Sequence, residues 1–347
     1  MKNSHLYQEI HQQPDVLRNF LHRERPSIQA LADAIRQRDI THVVIAARGT
    51  SDNAGRYAQY ILGAHNGLQI ALSTPSLFTI YERPIHFRQA LVLGISQSGK
   101  SPDIVAVVAE ARRQNQLTAV ITNNPNSDLG QVGDYVIDLG AGDEKSVAAT
   151  KTYTAELMAV ALLSALLSSD ADHLAQLETV PDAAAKMLAL QDAMAQIAPR
   201  YRYMTRSIII GRGYNYATAY EMALKVKELT YTIAEPYSSA DFMHGPLALI
   251  EPGFPVVVLA PSGKMLPEMQ HLVASLNERQ AEVIAISDDE TILETADIAV
   301  QLTAVVPEWL SPITTIIPGQ LFAMNLAHTR HYNVDRPRAI QKVTETR

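Results

Sequence analysis

The stretch THVVIAARG, residues 41–49, decides the fold. It is a β-branched run that ends in a glycine turn, and a helical pattern follows it from Asp52. Runs that are continuously apolar and alternate with helices are typical of parallel βαβ units whose strands are buried on both faces. We therefore predict an α/β fold. Runs of the same kind recur at residues 90–96, 117–124, 134–140, 206–213, 255–263, 282–287 and 298–302.

The second half of the chain repeats the order of the first. Gly49 and Gly213 close the turn after the first strand of each half, and Gly99 and Gly263 close a later turn at the same separation. Two pairs of glycines with the same sequence separation between the halves indicate an internal duplication. We predict a helical segment at residues 1–34, α/β domains at 35–170 and 200–332, a helical connection at 171–199 and a C-terminal tail at 333–347.

Composition narrows the function classes. The chain has 347 residues, 47% hydrophobic and 19% charged, which is ordinary for a globular protein of about two domains. Its 29 basic and 36 acidic side chains give a net charge of −7, so no nucleic-acid partner is predicted. Cysteine is absent, which excludes disulfides and thiolate nucleophiles within the chain. We expect a cytoplasmic protein with no membrane partner, because no long apolar run is present.

Residues 94–101, GISQSGKS, match the P-loop expression G-x4-G-K-[ST] between a strand and a helix. The corresponding loop of the second half, before Lys264, lacks the first glycine, so nucleotide hydrolysis is the less favoured interpretation. A serine-rich turn at a helix N-terminus still presents N–H groups and a positive dipole end to an anion, and we predict a phosphate site. The alternative is a simple cap, with Ser101 as N-cap and Pro102 at the first helical position.

Other polar residues are weaker candidates when taken singly. Thr50 and Ser51 follow the first strand and have hydroxyls for a sugar or a phosphate. Glu221 and Lys225 have the i,i+4 spacing of an ordinary surface salt bridge, which spacing alone favours. A lone histidine such as His244 is more often structural than catalytic. No group has metal-ligand spacing, and neither a metal nor a cofactor is predicted.

Taken together, these residues resemble the sugar isomerase (SIS) family, in particular the isomerase half of glucosamine-6-phosphate synthase and the stand-alone SIS-type deaminases. The resemblance covers almost the whole chain. It implies two tandem SIS domains, each a flavodoxin-like three-layer sandwich with a parallel sheet. The motifs that carry it are EIHQQP at 9–14, RGTS at 48–51, SQSG at 96–99, VAATK at 147–151, ALKVKE at 223–228, HGPLALI at 244–250, DRPR at 335–338 and Lys342.

The resemblance also implies a sugar-phosphate substrate and a role for each matching residue. Glu228, oriented by Lys225, moves the proton between C1 and C2, His244 opens the ring and Lys342 meets the open-chain carbonyl. In the family, the His-Gly-Pro loop reaches into the partner's site, which implies a homodimer with shared active sites. The phosphate would be held by Ser96, Gln97, Ser98 and Ser101, and the sugar would be lined by Thr50, Ser51, Val147 and Ala149.

The expected reaction follows from what the sequence lacks. The synthase uses a glutaminase domain with an N-terminal cysteine, and this chain has neither the extra length nor a cysteine. We therefore expect deamination of glucosamine 6-phosphate to fructose 6-phosphate and ammonia. A fructosamine-6-phosphate deglycase, which needs a larger pocket beside Ala149, and a non-catalytic sugar-phosphate sensor are the alternatives. Lys100 and Ala149 stand where the synthase has an acid and a serine, which leaves the identity of the sugar open.

Overall fold

The computed structural model describes residues 1–342 of the chain, and these form two compact units. The first unit contains Asp15–Glu144, Ala149–Glu178, Gln341 and Lys342. The second unit contains Met1–Pro14, Lys145–Ala148 and Thr179–Ile340. Each unit is built on one five-stranded sheet in which every strand pair is parallel.

The sheet of the first unit has the order β2-β1-β3-β4-β5. The order reverses between β1 and β3, and ligands of open α/β sheets bind at such a reversal, outside the carboxyl ends of the strands. Strands β3 and β4 are buried along their whole length, as the apolar sequence of β3 and the largely apolar sequence of β4 predict. The strands are β1 (His42–Ala46), β2 (Gln69–Leu72), β3 (Ala90–Ile95), β4 (Leu117–Thr122) and β5 (Tyr135–Asp138).

The sheet of the second unit has the order β10-β9-β8-β6-β7. Counted from its own first strand, this is the same order as in the first unit, so the predicted duplication and the predicted α/β fold with two parallel sheets are confirmed. The strands are β6 (Arg206–Gly211), β7 (Ile233–Ser238), β8 (Pro255–Ala260), β9 (Glu282–Ser287) and β10 (Ile298–Gln301).

Fourteen α-helices lie in residues 1–342, with short 3₁₀ turns at Leu188–Leu190, Ala198–Tyr201, Pro246–Leu249 and Glu308–Leu310. None of these helices combines the length and the low charge that spanning a bilayer requires. The helices are α1 (His5–Gln37), α2 (Gly49–Asn66), α3 (Ser76–Thr79), α4 (Pro102–Arg113), α5 (Asp128–Val132), α6 (Lys151–Ser168), α7 (Ala171–Leu177), α8 (Val180–Met187), α9 (Gln191–Ile197), α10 (Asn215–Thr230), α11 (Ser239–Met243), α12 (Leu266–Glu278), α13 (Glu290–Thr295) and α14 (Ser311–Thr329).

Helix–sheet packing forms the core of each unit. In the first unit, α4 places Ile104 and Val108 against Val92 of β3 and Val120 of β4. In the second unit, α12 packs Leu272 and Leu276 in the same way on β8 and β9. Helices α6 and α14 are buried on nearly all sides, which explains why both are apolar around their whole circumference.

Candidate active site

The loop after β3, predicted to hold phosphate, is fixed by its own unit. The N–H of Asn123 donates to the carbonyl oxygen of Gln97 (3.0 Å), and the N–H of Leu129 donates to that of Gly99 (3.1 Å). Gly99 has φ of +65°, and a Cβ there would lie 1.9 Å from the hydroxyl oxygen of Ser127. Only glycine fits this position. The loop therefore has a defined shape before any ligand binds.

Ser101 and Pro102 begin α4 as predicted, at the N-cap and the first helical position. The hydroxyl of Ser101, however, makes no capping hydrogen bond. A simple cap would use that hydroxyl to accept from the N–H groups of the first turn. The capping interpretation therefore leaves Ser101 unexplained, and its hydroxyl lies at the positive end of a helix of 12 residues.

The position of Gly94 argues against the P-loop interpretation. In a P-loop, the residues between the two glycines form the turn that surrounds the phosphates. Here Gly94 lies inside β3, where a Cβ would be 2.9 Å from Cγ2 of Val108 on α4. It is a glycine of helix–sheet packing and does not open the loop. The side chain of Lys100 is exposed.

Two polar contacts hold the loop after β1. Arg48 Nε donates to Oδ2 of Asp103 (2.8 Å), which is fully buried in the first turn of α4, so this pair joins the loops after β1 and β3. The hydroxyl of Ser51 donates to Oε1 of Glu156 on α6 (2.8 Å). Because its proton is engaged there, Ser51 offers a ligand its lone pairs. Thr50 lies beside it in the first turn of α2.

The equivalent loop of the second unit, after β8, already holds carboxylates of its own unit. Glu308 accepts from the N–H groups of Lys264 (2.8 Å) and Met265 (3.3 Å), and Asp288 accepts from that of Ser262 (2.6 Å). A Cβ on Gly263 would lie 2.2 Å from Cδ of Glu308. In the part of the chain that the structure describes, no carboxylate accepts from the backbone of residues 96–101. Of the two loops, the one after β3 is thus the one open to an external anion.

Helix α10 carries a buried ion-pair triad. Lys225 Nζ lies 2.7 Å from Oε2 of Glu228 and 3.3 Å from Oε1 of Glu221. The side chains of Lys225 and Glu221 are 1% and 0% exposed, and that of Glu228 is 22% exposed. Burial favours the neutral amine, but the two carboxylates outweigh it and hold the pKa of Lys225 above its ordinary value. Glu228 is thus a partly exposed carboxylate that is ion-paired with a buried lysine.

The prediction that Glu221 and Lys225 form a salt bridge on the surface is therefore wrong, because the pair is buried. Their i,i+4 spacing is as predicted, but α10 packs against α14 and against β6 and β7, which covers this face. The i,i+4 spacing predicts which two side chains on a helix interact, but it does not predict whether that face of the helix is buried.

We expect Lys225→Met to lower the free energy of unfolding by about 3–5 kcal/mol, because it leaves the buried carboxylate of Glu221 and the partly buried carboxylate of Glu228 without their cation. Lys227→Met, at an exposed position of the same helix, is the matched control and should change it by less than about 0.5 kcal/mol. Urea unfolding followed by circular dichroism measures both variants. Equal stabilities would show that the triad does not stabilise the fold.

Lys342 forms an ion pair with Glu144. The sequence analysis predicted a role for Lys342 but missed Glu144. Its Nζ is 2.7 Å from Oε2 of Glu144, and this buried carboxylate also accepts from the N–H of Thr150 (2.9 Å) and the hydroxyl of Thr152 (2.7 Å). Burial favours the protonated acid, but Lys342 and these hydrogen bonds hold the pKa of Glu144 below its ordinary value. The pair fixes the position of Lys342. The only signal in the sequence was a charged residue just before VAATK.

Asp335 and Glu9 position the segment before α6, and the sequence analysis missed their roles too. The carboxylate of Asp335 accepts from the N–H groups of His5 (3.1 Å) and Leu6 (2.9 Å) at the start of α1, and its carbonyl oxygen accepts from Val147 N–H (3.3 Å). Glu9 accepts from the backbone and hydroxyl of Ser146. These bonds hold residues 146 and 147 in place before α6 begins at Lys151.

His244 lies at the end of α11 and is exposed. Its N–H donates to the carbonyl oxygen of Asp241 (3.2 Å), but its imidazole makes no hydrogen bond or ion pair with any residue from 1 to 342. Two exposed apolar side chains, Met243 and Leu249, flank it. Among residues 1–342, no hydrogen bond or ion pair of the ring therefore explains why a histidine stands here.

The predicted site residues fall into two sets, one in each unit. Within residues 1–342, no three His, Cys, Asp or Glu side chains are grouped so that they could hold a metal ion. The first unit contains Thr50, Ser51, Ser96, Gln97, Ser98, Ser101, Ala149 and Lys342, and the second contains Val147, Lys225, Glu228 and His244.

Comparisons with known proteins agree with this architecture. A family model described as "SIS domain" matches residues 35–166 and again 203–330. The glutamine–fructose-6-phosphate aminotransferase (isomerizing) of Pyrococcus horikoshii is 32% identical over 342 residues, and the match covers 97% of this chain and 57% of that protein. The chain thus spans little more than half the length of this relative.

Solved structures share the fold along the whole chain. The C-terminal domain of glucosamine-fructose-6-phosphate aminotransferase from Francisella tularensis is similar with a TM-score of 0.85 and 27% identity, covering 96% of this chain and 98% of that one. A glucosamine-6-phosphate deaminase from Thermotoga maritima has a TM-score of 0.80 and covers 99% of this chain and 100% of that one. At 19% identity, the second likeness concerns the fold alone.

Proposed function

The chain belongs to the SIS domain family, and from this premise we propose that it is a glucosamine-6-phosphate deaminase that forms fructose 6-phosphate and ammonia. The observation that carries the proposal is the partly open carboxylate of Glu228 on the buried Lys225. A group that moves a proton between neighbouring carbons must be held in place and must keep one accessible face. Glu228 meets both requirements.

Phosphate recognition falls to Ser96, Gln97, Ser98 and Ser101 in this proposal. The loop after β3 has a fixed shape, lies at the N-terminus of α4 and holds no carboxylate of its own among residues 1–342. Serine hydroxyls and backbone N–H groups at a helix N-terminus are suited to a phosphate dianion. Thr50, Ser51, Val147 and Ala149 are proposed to line the sugar.

Proton transfer is the central step. His244 opens the pyranose ring, a step that needs a side chain able to donate and accept a proton. Glu228 then takes the proton from C2 of the open-chain aldose and returns it to C1, which converts the amine at C2 into an imine. Water adds to this imine, ammonia leaves, and C2 becomes the carbonyl carbon of fructose 6-phosphate. Lys225 orients Glu228 throughout.

Lys342 acts on the open-chain carbonyl. Its Nζ lies 2.7 Å from Oε2 of Glu144, so this donor is held at a fixed position. A hydrogen bond from Nζ to the carbonyl oxygen polarises the carbonyl. Formation of a Schiff base would instead require Nζ to leave Glu144 and bond to the carbonyl carbon, so we assign Lys342 the polarising role.

Free ammonia, and not glutamine, is the nitrogen species in this proposal. Release of ammonia from glutamine in the family's synthases uses a cysteine nucleophile, and none of the 347 residues is a cysteine. The reaction is thus the one that the side chains of this chain support by themselves. Ammonia release from glucosamine, galactosamine and fructosamine 6-phosphates tests it, because free amino acid from the last substrate would instead indicate a deglycase.

A homodimer with shared sites accounts for the exposure of His244. An exposed imidazole that forms no hydrogen bond or ion pair with residues 1–342, close in sequence to exposed Met243 and Leu249, is the arrangement expected of a group that acts in a partner's site. We infer that each subunit lends His244 to the other across a symmetric interface.

Ser98→Ala is expected to raise KM for glucosamine 6-phosphate about 10-fold or more and to change kcat little. The hydroxyl contacts a phosphate remote from the reacting carbons, so it contributes mainly uniform binding. Steady-state kinetics measure the effect, with Ser168→Ala at an exposed position of the same unit as the control. A collapsed kcat with an unchanged KM would place Ser98 among the reacting groups instead.

A further inference from the structure

A cavity of about 660 Å³ opens within the second unit, and no predicted site residue lines it. Its walls come from the segment before β6, the start of β7 and the last turns of α10 and α14. This volume is within the range of small-molecule sites in proteins. The nucleotide, phosphate and sugar interpretations of the sequence did not involve these residues.

The cavity concentrates positive charge in a chain whose net charge is −7. Arg202, Arg330, Arg338 and His331 line it, and no carboxylate of residues 1–342 does. Over residues 1–342, none of the three guanidiniums forms an ion pair with a carboxylate. Arg330 donates to backbone carbonyl oxygens, among them that of Thr230 (2.8 Å), so its charge is solvated but not neutralised. Burial accordingly holds the pKa of Arg330 below its ordinary value.

A neighbouring cavity of about 280 Å³ provides a contrast. It also contains two arginines, but Arg200 pairs with Glu282 and Arg206 pairs with Glu251. The charges of these two arginines are therefore already neutralised by glutamate side chains. In the described part of the chain, the arginines of the larger cavity have no such carboxylate partners, which is the arrangement expected where an external anion supplies the negative charge.

Aromatic rings lie beside the guanidiniums. Arg338 is stacked 3.9 Å from the centre of the Tyr231 ring, and the ring of Tyr332 lies 4.8 Å from that of Tyr231. Tyr203, at the same cavity, is 88% exposed. Guanidiniums recognise phosphates, and exposed tyrosine rings provide flat surfaces for a ring of the ligand.

We propose that this cavity binds a small phosphate ester that contains a ring, with its phosphate on Arg202 and Arg338 and its ring against Tyr203. A nucleotide and a sugar phosphate share this chemistry. The walls are close in sequence to two proposed active-site residues, since Tyr231 follows Glu228 by one turn and Arg338 precedes Lys342 by four residues. Because His331, Tyr332 and Arg338 line the cavity, a bound ester should restrain residues 331–338. The exchange of their backbone amide hydrogens with solvent should then slow.

Isothermal titration calorimetry tests the proposal with adenosine 5′-monophosphate, glucose 6-phosphate and inorganic phosphate as probes. We expect at least one ester to bind the wild-type protein, and Arg202→Glu to weaken that binding about 10-fold or more. Tyr203→Ala leaves the net charge of the protein unchanged, and it should also lower the affinity for the same ester. The matched control is Arg206→Glu, because Arg206 is an exposed arginine four residues away that is paired with Glu251. It should leave the affinity unchanged.

The dependence on Arg202 separates this cavity from the loop after β3, where a sugar phosphate is also proposed to bind. Arg202-dependent binding of the nucleotide identifies a nucleotide site, and Arg202-dependent binding of glucose 6-phosphate identifies a second sugar-phosphate site; both support the proposal. Equal affinities of Arg202→Glu and Arg206→Glu for every probe would overturn it. So would the absence of Arg202-dependent binding up to about 10 mM. Dissociation of a dimer by Arg202→Glu without an effect on ester binding would show that the cavity instead faces a second copy of the chain.

Discussion

Glu228→Gln is expected to lower kcat by about 10²- to 10⁴-fold, the usual contribution of a positioned proton-transfer group. The amide has the shape of the carboxylate but cannot accept the proton from C2. The fold should be retained, because Glu221 still pairs with the buried Lys225. Steady-state ammonia release measures the loss, and circular dichroism verifies folding.

A control glutamate separates this effect from a general loss of charge. Glu278→Gln, at an exposed position of α12, should have wild-type kcat. Exchange of hydrogen at C1 and C2 with deuterium from the solvent reports proton transfer directly. If Glu228→Gln incorporated deuterium at the wild-type rate, another group would carry the proton.

Mixed dimers of His244→Ala and Glu228→Gln subunits are expected to recover about a quarter of wild-type activity, although each variant alone is nearly inactive. If His244 acts in the partner's site, one site of each mixed dimer regains both groups and the other lacks both. Random assembly makes about half of the dimers mixed, each with one working site. Activity against mixing ratio measures the recovery.

Co-expression with two different affinity tags makes this experiment independent of the rate of subunit exchange. Tandem purification on both tags isolates the mixed dimer, which should have about half the activity of wild type per dimer. A purified mixed dimer with no activity would place His244 in the site of its own subunit or give it a structural role.

Local sequence signals were sufficient for the fold and for the start of α4. Strand β3 is buried along its whole length, so its uninterrupted apolar sequence predicted it directly. Ser101 and Pro102 begin α4 because their preferences for the first helical positions depend on few neighbours. The internal repeat was visible for the same reason, since Gly99 and Gly263 each close a local turn.

Burial and distant pairing could not be predicted in this way. Glu221 and Lys225 have the same spacing whether α10 is exposed or covered, and it is the packing of α14 that covers it. Glu144 pairs with Lys342, which is 198 residues away, so no local pattern marks it. Glu308 likewise occupies the loop at Lys264, 44 residues before it. Each of these contacts exists only once the chain has folded.

The measurement that tests the central claim most directly is ammonia release by the purified chain from glucosamine 6-phosphate, without ATP and with excess chelator. We predict that ammonia and fructose 6-phosphate appear in equal amounts, and that Ser98→Ala and Glu228→Gln reduce the rate through KM and kcat respectively. Failure to release ammonia from glucosamine 6-phosphate, or activity that the chelator abolishes, would contradict the account.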